Sequence, residues 1–400
     1  MTIRKLLSAS ALIAFGMLAG RMLGFLREML LAAQFGAGSE ANVAIALLLI
    51  PDFITSLLIG SALSNVLIPA FAERDKEQAL ALFWQSLWLF VGGFSVLTVG
   101  LGFFTSSFIA IALYSLPLTA ATGVFTAYLQ HRGRLLVPAF TTVIFNSIIL
   151  GALWFLPPGL LMLAFAVIFA SFARLAASFV AYLRAGGSGK NIFPKKWELN
   201  KNLFVAYSQT IATNMLGIFI LYTPFAIVAL LSLEGFAQFN YAFKLLTFPA
   251  VVIQTVIQMV LLPWFVSNIK LRSSNKPLQL ALVVLLIISI VVTFASDFIA
   301  QICFGYGKIT AGDVAEIGKL LAIGIWVTPS MVVLSVLQQM FYAHKKPKPV
   351  LIANIVLLLF IVPLCWIGQI MGGSEGMLVG FVVAQVIPVA ILAIMKRDIS

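Results

Sequence analysis

Charged side chains inside long apolar stretches are the residues of this sequence best placed to do chemistry. Arg21, Arg27 and Glu28 lie in the first such stretch, and Asp52 and Lys244 lie in two later ones. A charge in the hydrocarbon layer of a membrane costs at least about 2.5 to 3.5 kcal/mol, so such residues usually face a polar cavity or a partner. The alternative is that Arg27 and Glu28 merely extend to the membrane surface.

The sequence around these charges suggests partners for them. Glu28 follows Arg21 by seven residues and lies on nearly the same helix face, so it can compensate one arginine. Asp52 is hypothesised to face the cavity as a proton or ion partner of Arg21 or Arg27, and a structural salt bridge is an equal alternative. For Arg174, near the end of another apolar stretch, extension to the membrane interface is favoured.

A stripe of small residues accompanies the arginines of the first stretch. Gly16, Gly20 and Gly24 recur every four residues and therefore share one face of a helix. Small residues at this spacing allow a second membrane helix to approach closely. The first stretch is thus expected to pack tightly against another helix along one face.

Composition places the chain among polytopic membrane proteins. It is 62% hydrophobic and 10% charged over 400 residues, against about 25% charged in soluble proteins. The first apolar run is too long for a signal peptide and is interpreted as a retained span. The sequence has no nucleotide-binding, zinc-protease or serine-hydrolase motif, and Cys303 and Cys365 lack metal-ligand spacing. These patterns predict a protein that is not an enzyme, with no cofactor and no metal site.

Twelve apolar segments reach spanning length, which predicts an all-α fold of about twelve transmembrane helices. They cover residues 6–34, 42–71, 80–104, 108–129, 136–156, 160–183, 203–231, 236–267, 278–303, 316–342, 350–370 and 376–395. The polar stretch between the sixth and seventh segments predicts a cytoplasmic basic linker at 185–202, between lobes at 1–184 and 203–400.

The basic residues indicate the orientation of these segments. With a cytoplasmic N-terminus, 19 of the 25 Lys and Arg fall in cytoplasmic segments, which is the asymmetry that the positive-inside rule requires. Both termini are then cytoplasmic. The net charge of +12 is explained by this topology and by anionic membrane lipids, so nucleic acid is not expected as a partner.

Two sequence echoes indicate an internal repeat. VLIPAF at 66–71 ends the second segment and VLLPWF at 260–265 ends the eighth. YLQHRGR at 128–134 and FYAHKK at 341–346 close the fourth and tenth segments. The members of each pair are offset by six segments, which predicts two six-helix lobes related by a parallel pseudo-two-fold axis. This arrangement suggests alternating access around a central cavity.

Motifs along nearly the whole chain resemble the MurJ/MviN family of lipid II flippases, within the multidrug/oligosaccharidyl-lipid/polysaccharide exporter superfamily. The matching segments occur in collinear order. They are RMLGFLRE at 21–28, FGAG at 35–38, Ile50-Pro51, GSALS at 60–64, IPAF at 68–71, VPAFT at 137–141, Asn146, Tyr241-Ala242, Lys244, Phe248-Pro249 and FGYG at 304–307.

The resemblance implies transport of an undecaprenyl-pyrophosphate-linked saccharide, above all lipid II, from the inner to the outer leaflet of the bacterial inner membrane. The family's cavity arginines match Arg21, Arg27 and Lys244, and guanidinium groups can hold phosphate oxygens by paired hydrogen bonds. Glu28, Asp52 and Asn42 complete the implied substrate-binding set. Membrane lipids and cell-wall synthesis proteins are the implied partners.

The sequence departs from the family pattern at several places. Asn42 replaces an acidic residue, Lys244 replaces an arginine, and no basic residue follows Pro51 in the second segment. The sodium-site aspartate of some relatives aligns near Phe225, and twelve segments replace the usual fourteen. The alternatives are therefore a flippase for another polyprenyl-linked oligosaccharide, a drug exporter of the same fold, or a protein that has lost transport.

Overall fold

Helices account for all regular structure in the part of the chain that the structure describes. This computed structural model describes residues 3–57, 63–187, 192, 197–199, 201–267, 276–344, 346 and 348–396. The motif residues 60–62 and the basic residues 190, 195, 196, 270, 272, 345 and 397 lie outside these ranges. The helices are α1 (Ile3–Phe35), α2 (Ser39–Leu57), α3 (Leu63–Ala72), α4 (Lys76–Gly102), α5 (Ser107–Leu113), α6 (Ser115–His131), α7 (Leu136–Phe155), α8 (Leu160–Arg184), α9 (Lys201–Leu231), α10 (Phe236–Ser267), α11 (Lys276–Phe294), α12 (Ser296–Phe304), α13 (Ala311–Gly324), α14 (Val327–Ala343) and α15 (Lys348–Met395).

Several of these helices have the length and apolarity needed to cross a membrane. Within the described residues there are six, or up to eight if each of two bent helix pairs is one span. The bent pairs are α11 with α12, at 73°, and α13 with α14, at 41°. The chain is therefore an all-helical, multi-span membrane protein, and the number of twelve crossings stays a prediction.

Three of the predicted apolar segments are interrupted helices. The fourth is divided at Tyr114 between α5 and α6. The second is covered by α2 and α3, with residues 58–62 outside the described ranges. In α15, Gly372 and Gly373 leave helical geometry between the eleventh and twelfth segments. The φ of Gly373 is +58°, a backbone conformation that glycine adopts without the penalty that a side chain would add. The ninth and tenth segments are the two bent pairs.

The chain divides into two compact units, and the N-terminal unit comprises residues 1–30 and 43–218. Within it α6 is central, because it packs against α3, α4 and α8, while α7 packs against α8. Aromatic rings fill the space between α3, α4, α6 and α8, and the rings of Phe83 and Tyr182 stack with centroids 5.0 Å apart. The rings of Phe71, Trp84, Phe125 and Tyr128 belong to the same cluster.

The described part of the linker after α8 is bonded to the same unit. The Gln85 side-chain oxygen accepts hydrogen bonds from the backbone nitrogens of Glu198 and Leu199, at 2.8 and 3.1 Å. Arg74 forms an ion pair with Glu198 at 3.4 Å. Backbone groups of an irregular segment need such partners when they are buried, so α4 holds this linker in place.

The C-terminal unit comprises residues 31–42 and 219–400. Here α14 is central, since it packs against α10, α11 and α15, and α13 packs against α10 and α12. The two arms of α15 approach closely where Gly368 meets the backbone of Gly376, so that α15 folds back on itself as a hairpin. The central positions of α6 and α14 correspond to the fourth and tenth predicted segments.

The units differ from the predicted lobes at residues 31–42, which group with the C-terminal unit. The Tyr241 hydroxyl donates to the Gly36 carbonyl at 2.8 Å, and Asn42 Nδ2 donates to the Leu233 carbonyl at 2.7 Å. The Lys308 backbone nitrogen donates to the Ala33 carbonyl at 2.8 Å. Conversely, the first part of α9, up to Ile218, groups with the N-terminal unit, although the predicted C-terminal lobe begins at residue 203.

The glycine stripe of α1 packs against α7, as its spacing predicts. A Cβ atom added at Gly16 would lie 2.7 Å from the Ala139 carbonyl oxygen, and one at Gly20 would lie 3.0 Å from Thr142 Cβ. At Gly24 the nearest atom is Asn146 Nδ2, at 3.2 Å. We call this contact the glycine seam, and it fixes both the rotation of α1 about its axis and its register along α7.

The glycine seam predicts a position-specific loss of stability. Gly16→Val should destabilise the protein, because its side chain would collide with the α7 backbone, and overpacking of this kind costs about 1 to 3 kcal/mol. Gly151→Val is the matched control, since Gly151 is on α7 and has open space around it. Thermal unfolding in detergent gives the melting temperature of each variant. Equal melting temperatures for the two variants would contradict the close packing.

Candidate functional site

Arg27 is the centre of a buried polar network in the N-terminal unit. Its side chain is 2% exposed. Nη1 donates to Asn146 Oδ1 at 3.0 Å, and Nη2 donates to both Glu28 Oε1 and Asp52 Oδ2 at 2.8 Å. Both terminal nitrogens of the guanidinium are thus engaged by groups of the protein itself.

The glycine seam explains why this arginine points inward. Arg27 follows Gly24 by three residues, so it continues the face of α1 that contacts α7. Asn146, four residues after Thr142 on α7, donates from Nδ2 to the Gly20 carbonyl at 2.8 Å and accepts from Arg27. One buried carboxamide therefore bonds to the backbone of α1 and to its charged side chain.

The two carboxylates differ in their access to water. Glu28 is 3% exposed, whereas the Asp52 side chain is 32% exposed. Both bind the same nitrogen of Arg27, so two negative charges surround one positive charge, and the excess falls on the partly exposed Asp52. A further positive charge nearby balances it.

Arg174 supplies that counter-charge, and the expectation that it extends to the membrane interface is wrong. Its side chain is 1% exposed and lies in the helix bundle. Nη2 donates to Thr119 Oγ1 at 2.7 Å, and the guanidinium carbon lies 5.0 Å from the centroid of the Phe145 ring. Asp52 is the carboxylate that attracts it. We call Arg27, Glu28, Asp52, Asn146, Thr119 and Arg174 the charge network.

Three of the six predicted substrate-binding residues therefore come together. Arg27, Glu28 and Asp52 are in direct contact, and the hypothesised pairing of Asp52 with an arginine is observed with Arg27. Arg21 is in the same unit and is half-buried on α1. Lys244, half-buried on α10, and Asn42, bonded to Leu233, belong to the C-terminal unit.

Sequence reasoning gave no role to Thr119 and Asn146 and misplaced Arg174. A signal for Arg174 was present: Ser171, Arg174 and Ser178 recur at spacings of three and four, which is one face of a helix. All three are buried. A polar stripe of this kind on an otherwise apolar helix indicates a face turned to the protein interior rather than to lipid.

The described residues contain no group of three His, Cys, Asp or Glu arranged to hold a metal ion. The charge network itself is neutral, with two arginines and two carboxylates. Such a site holds helices together and presents one partly exposed carboxylate, while hydrogen bonds within the network occupy the terminal nitrogens of Arg27. Arg21 lies on a different face of α1 from the glycine seam, because it follows Gly20 and consecutive residues of a helix are about 100° apart.

Comparison with known proteins decides the family. A family profile described as "Lipid II flippase MurJ" matches residues 31–397. The chain belongs to the MurJ family. This is a family of flippases rather than enzymes, which confirms the resemblance stated above and the expectation that the protein is a transporter.

Named relatives agree with the MurJ assignment. The chain is 24% identical over 376 residues to "Probable lipid II flippase MurJ" of Rhizobium tropici, covering 83% of this chain and 69% of that protein. The protein of the same name from Buchnera aphidicola is 24% identical over 384 residues, covering 86% of this chain and 74% of the relative.

Solved structures show the same fold. A structure of "Lipid II flippase MurJ, inward closed conformation" superposes with a TM-score of 0.84 at 18% identity, covering 97% of this chain and 87% of that one. An inward-facing multidrug resistance MATE family transporter of the MOP superfamily follows with a TM-score of 0.76 at 14% identity, covering 94% of each chain. The helices of this MurJ family member thus share the fold of both solved proteins.

The charge network predicts that Arg27 is needed for stability. Arg27→Met leaves two carboxylates and Asn146 without their shared donor, and breaking a buried ion pair from one side costs about 3 to 5 kcal/mol. We expect a large fall in the melting temperature of the purified protein. Arg184→Met is the control, because Arg184 is exposed at the end of α8; a similar loss in the control would show that the effect is not due to burial.

Proposed function

We propose that this chain moves an undecaprenyl-pyrophosphate-linked saccharide, lipid II, from the inner to the outer leaflet by alternating access. The single observation that carries the proposal is the MurJ family match over residues 31–397. The names of both curated relatives and the superposition on a lipid II flippase support the same cargo. Membrane lipids and this lipid-linked saccharide are then the chain's principal partners.

In this proposal Arg21 and Lys244 carry the positive charge that binds the pyrophosphate. Both are half-buried, and a guanidinium or ammonium group forms short, strong hydrogen bonds to phosphate oxygens. Arg27 is the third predicted ligand, and its bonds to Glu28 and Asp52 give it the additional task of holding α1 in place. Asn42 remains proposed as a substrate contact of the C-terminal unit.

We also propose twelve membrane crossings in two repeats related by a pseudo-two-fold axis. The internal organisation of each unit supports the repeat. The fourth segment of one unit and the tenth of the other are both central, and both are interrupted, at Tyr114 and at Ile325–Trp326. The distribution of lysine and arginine supports a location in the bacterial inner membrane with both termini in the cytoplasm.

The second candidate is export of a drug or small cation, which the MATE-like fold favours. A cation-binding cavity should be acidic and aromatic. In the charge network both carboxylates are instead matched by Arg27 and Arg174, so no acidic excess supports cation binding there. Another polyprenyl-linked oligosaccharide would use the same phosphate-binding charges.

Depletion of a host's own lipid II flippase tests the cargo. Expression of this chain should restore growth and cell shape, because it would return lipid II to the outer leaflet. A purified-protein assay with fluorescent lipid II in vesicles gives the direct rate. If the chain is inserted and folded but neither restores growth nor moves lipid II, the cargo assignment fails, and movement of another polyprenyl-linked sugar in the same vesicles would support the alternative oligosaccharide.

Arg21 provides the sharpest test of phosphate binding. Arg21→Ala should reduce transport by about ten- to a hundredfold, since the loss of one charged hydrogen-bonding partner costs about 1.5 to 3 kcal/mol. Arg21→Lys should retain part of the rate, as lysine keeps the charge but not the fork. Membrane levels and the melting temperature should change little in either variant, and undiminished transport by Arg21→Ala would exclude it as a ligand.

A further inference from the structure

We propose that Arg174 is a positioning residue for transport, which acts on Arg27 through Asp52 and does not itself contact the cargo. The inference rests on the flippase function proposed above. It assigns a role to a side chain on α8 that belongs to none of the motifs matched to the family.

Arg174 is buried between two helices. Its guanidinium donates a hydrogen bond to Thr119 of α6 and lies over the ring of Phe145 of α7. A hydroxyl and an aromatic face are neutral partners, and neither cancels a full positive charge. An arginine that is 1% exposed in a membrane protein therefore depends on a carboxylate nearby.

Asp52 exerts the electrostatic attraction on Arg174, and it also binds Arg27 Nη2 at 2.8 Å. Asp52 on α2 thus stands between an arginine of α8 and an arginine of α1. Glu28 bonds to Arg27 from within α1, and Asp52 is a carboxylate on another helix that connects the two cations.

With Arg174 present, two positive and two negative charges share the interior of the N-terminal unit. Without it, Arg27 faces two carboxylates, and an apolar interior strongly disfavours the unmatched negative charge. Asp52 then turns toward water, for which its 32% exposure gives it room. This change weakens its bond to Arg27.

The bond between Asp52 and Arg27 affects the position of Arg21 on α1. Arg27 lies on the same helix as Arg21, six residues away, and Asn146 joins the Arg27 guanidinium to the Gly20 carbonyl next to Arg21. A loosened Arg27 therefore releases one of the contacts that set the position of the α1 backbone beside Arg21. Arg174 controls this contact from another helix.

A purely structural role makes a different prediction. If Arg174 only ties α8 to α6 and α7, its removal lowers the amount of folded protein but not the rate of each folded molecule. The charge of Asp52 would then be irrelevant to the effect. The two roles separate when transport of fluorescent lipid II in vesicles is divided by the amount of folded, inserted protein.

The experiment is a charge cycle of Arg174→Met, Asp52→Asn and the double variant. We expect each single variant to lose at least about tenfold in normalised transport, because each leaves one charge of the buried network unmatched. The double variant leaves Arg27 with Glu28, a balanced pair, and should recover to within about threefold of the wild type, a non-additivity that is typical of groups in direct contact. Asparagine at position 52 can still accept a hydrogen bond from Arg27.

Two further variants serve as controls. Ser178→Ala removes the hydrogen bond of Ser178 to the Arg174 backbone carbonyl but leaves every charge and the whole charge network, so it should transport at about the wild-type rate. Arg174→Lys keeps the charge and should retain most of the activity, which makes the test independent of whether Arg174→Met folds.

The outcomes distinguish the two proposals. A wild-type chain that moves no lipid II contradicts the proposed function, and the stability of the four cycle members then still reports whether Arg174 and Asp52 are coupled. A wild-type chain that transports overturns the positioning role if normalised transport by Arg174→Met is unchanged, or if the double variant is as slow as that single variant. Equal losses in Arg174→Lys and Arg174→Met would also overturn it, because charge would not be the property that matters.

Discussion

Charges enclosed by apolar helices must be matched, and the N-terminal unit is arranged around this constraint. Arg27 and Arg174 are enclosed in the bundle, and removing either arginine would leave a carboxylate of the network without its counter-charge. Because Glu28 is on the same helix as Arg27, Asp52 is the carboxylate that joins α1 to α2, and its attraction to Arg174 extends the connection to α8. Thr119 and Asn146 add α6 and α7. The charge network therefore connects five helices.

The glycine seam and the charge network depend on each other. Glycine allows α1 to lie against α7 closely enough for Asn146 to reach the Gly20 carbonyl and the Arg27 guanidinium together. The hydrogen bonds in turn give direction to a contact that small residues alone would leave free to slide, since close packing has no preferred partner atom. Membrane helices lack the hydrophobic drive that associates helices in water, so such a combination of fit and polar bonding determines which faces meet.

Much of the helical framework could be predicted from the sequence, because apolar runs of spanning length leave few alternatives to a helix. The charges of α1 and Asp52 stood out for the same reason. Arg174 was misjudged because distance from a helix end does not reveal which face a side chain occupies, whereas the flanking Ser171 and Ser178 do. Asn146 matched a family motif, but its uncharged side chain gave no indication of which groups it would bond. The break at Tyr114 and the grouping of residues 31–42 with the C-terminal unit depend on contacts with distant segments, which no local pattern records.

The attachment of residues 31–42 to the C-terminal unit has a consequence for biosynthesis. Asn42 finds its partner 191 residues later in the chain and Gly36 finds its partner 205 residues later. These residues leave the ribosome long before Leu233 and Tyr241 exist, and chains grow at about 5 to 20 residues per second. The end of α1 must therefore wait for at least about ten seconds of synthesis before it can settle. The C-terminal end of α1 therefore completes its contacts well after its buried charges, whose described partners end at Arg174, have been able to pair.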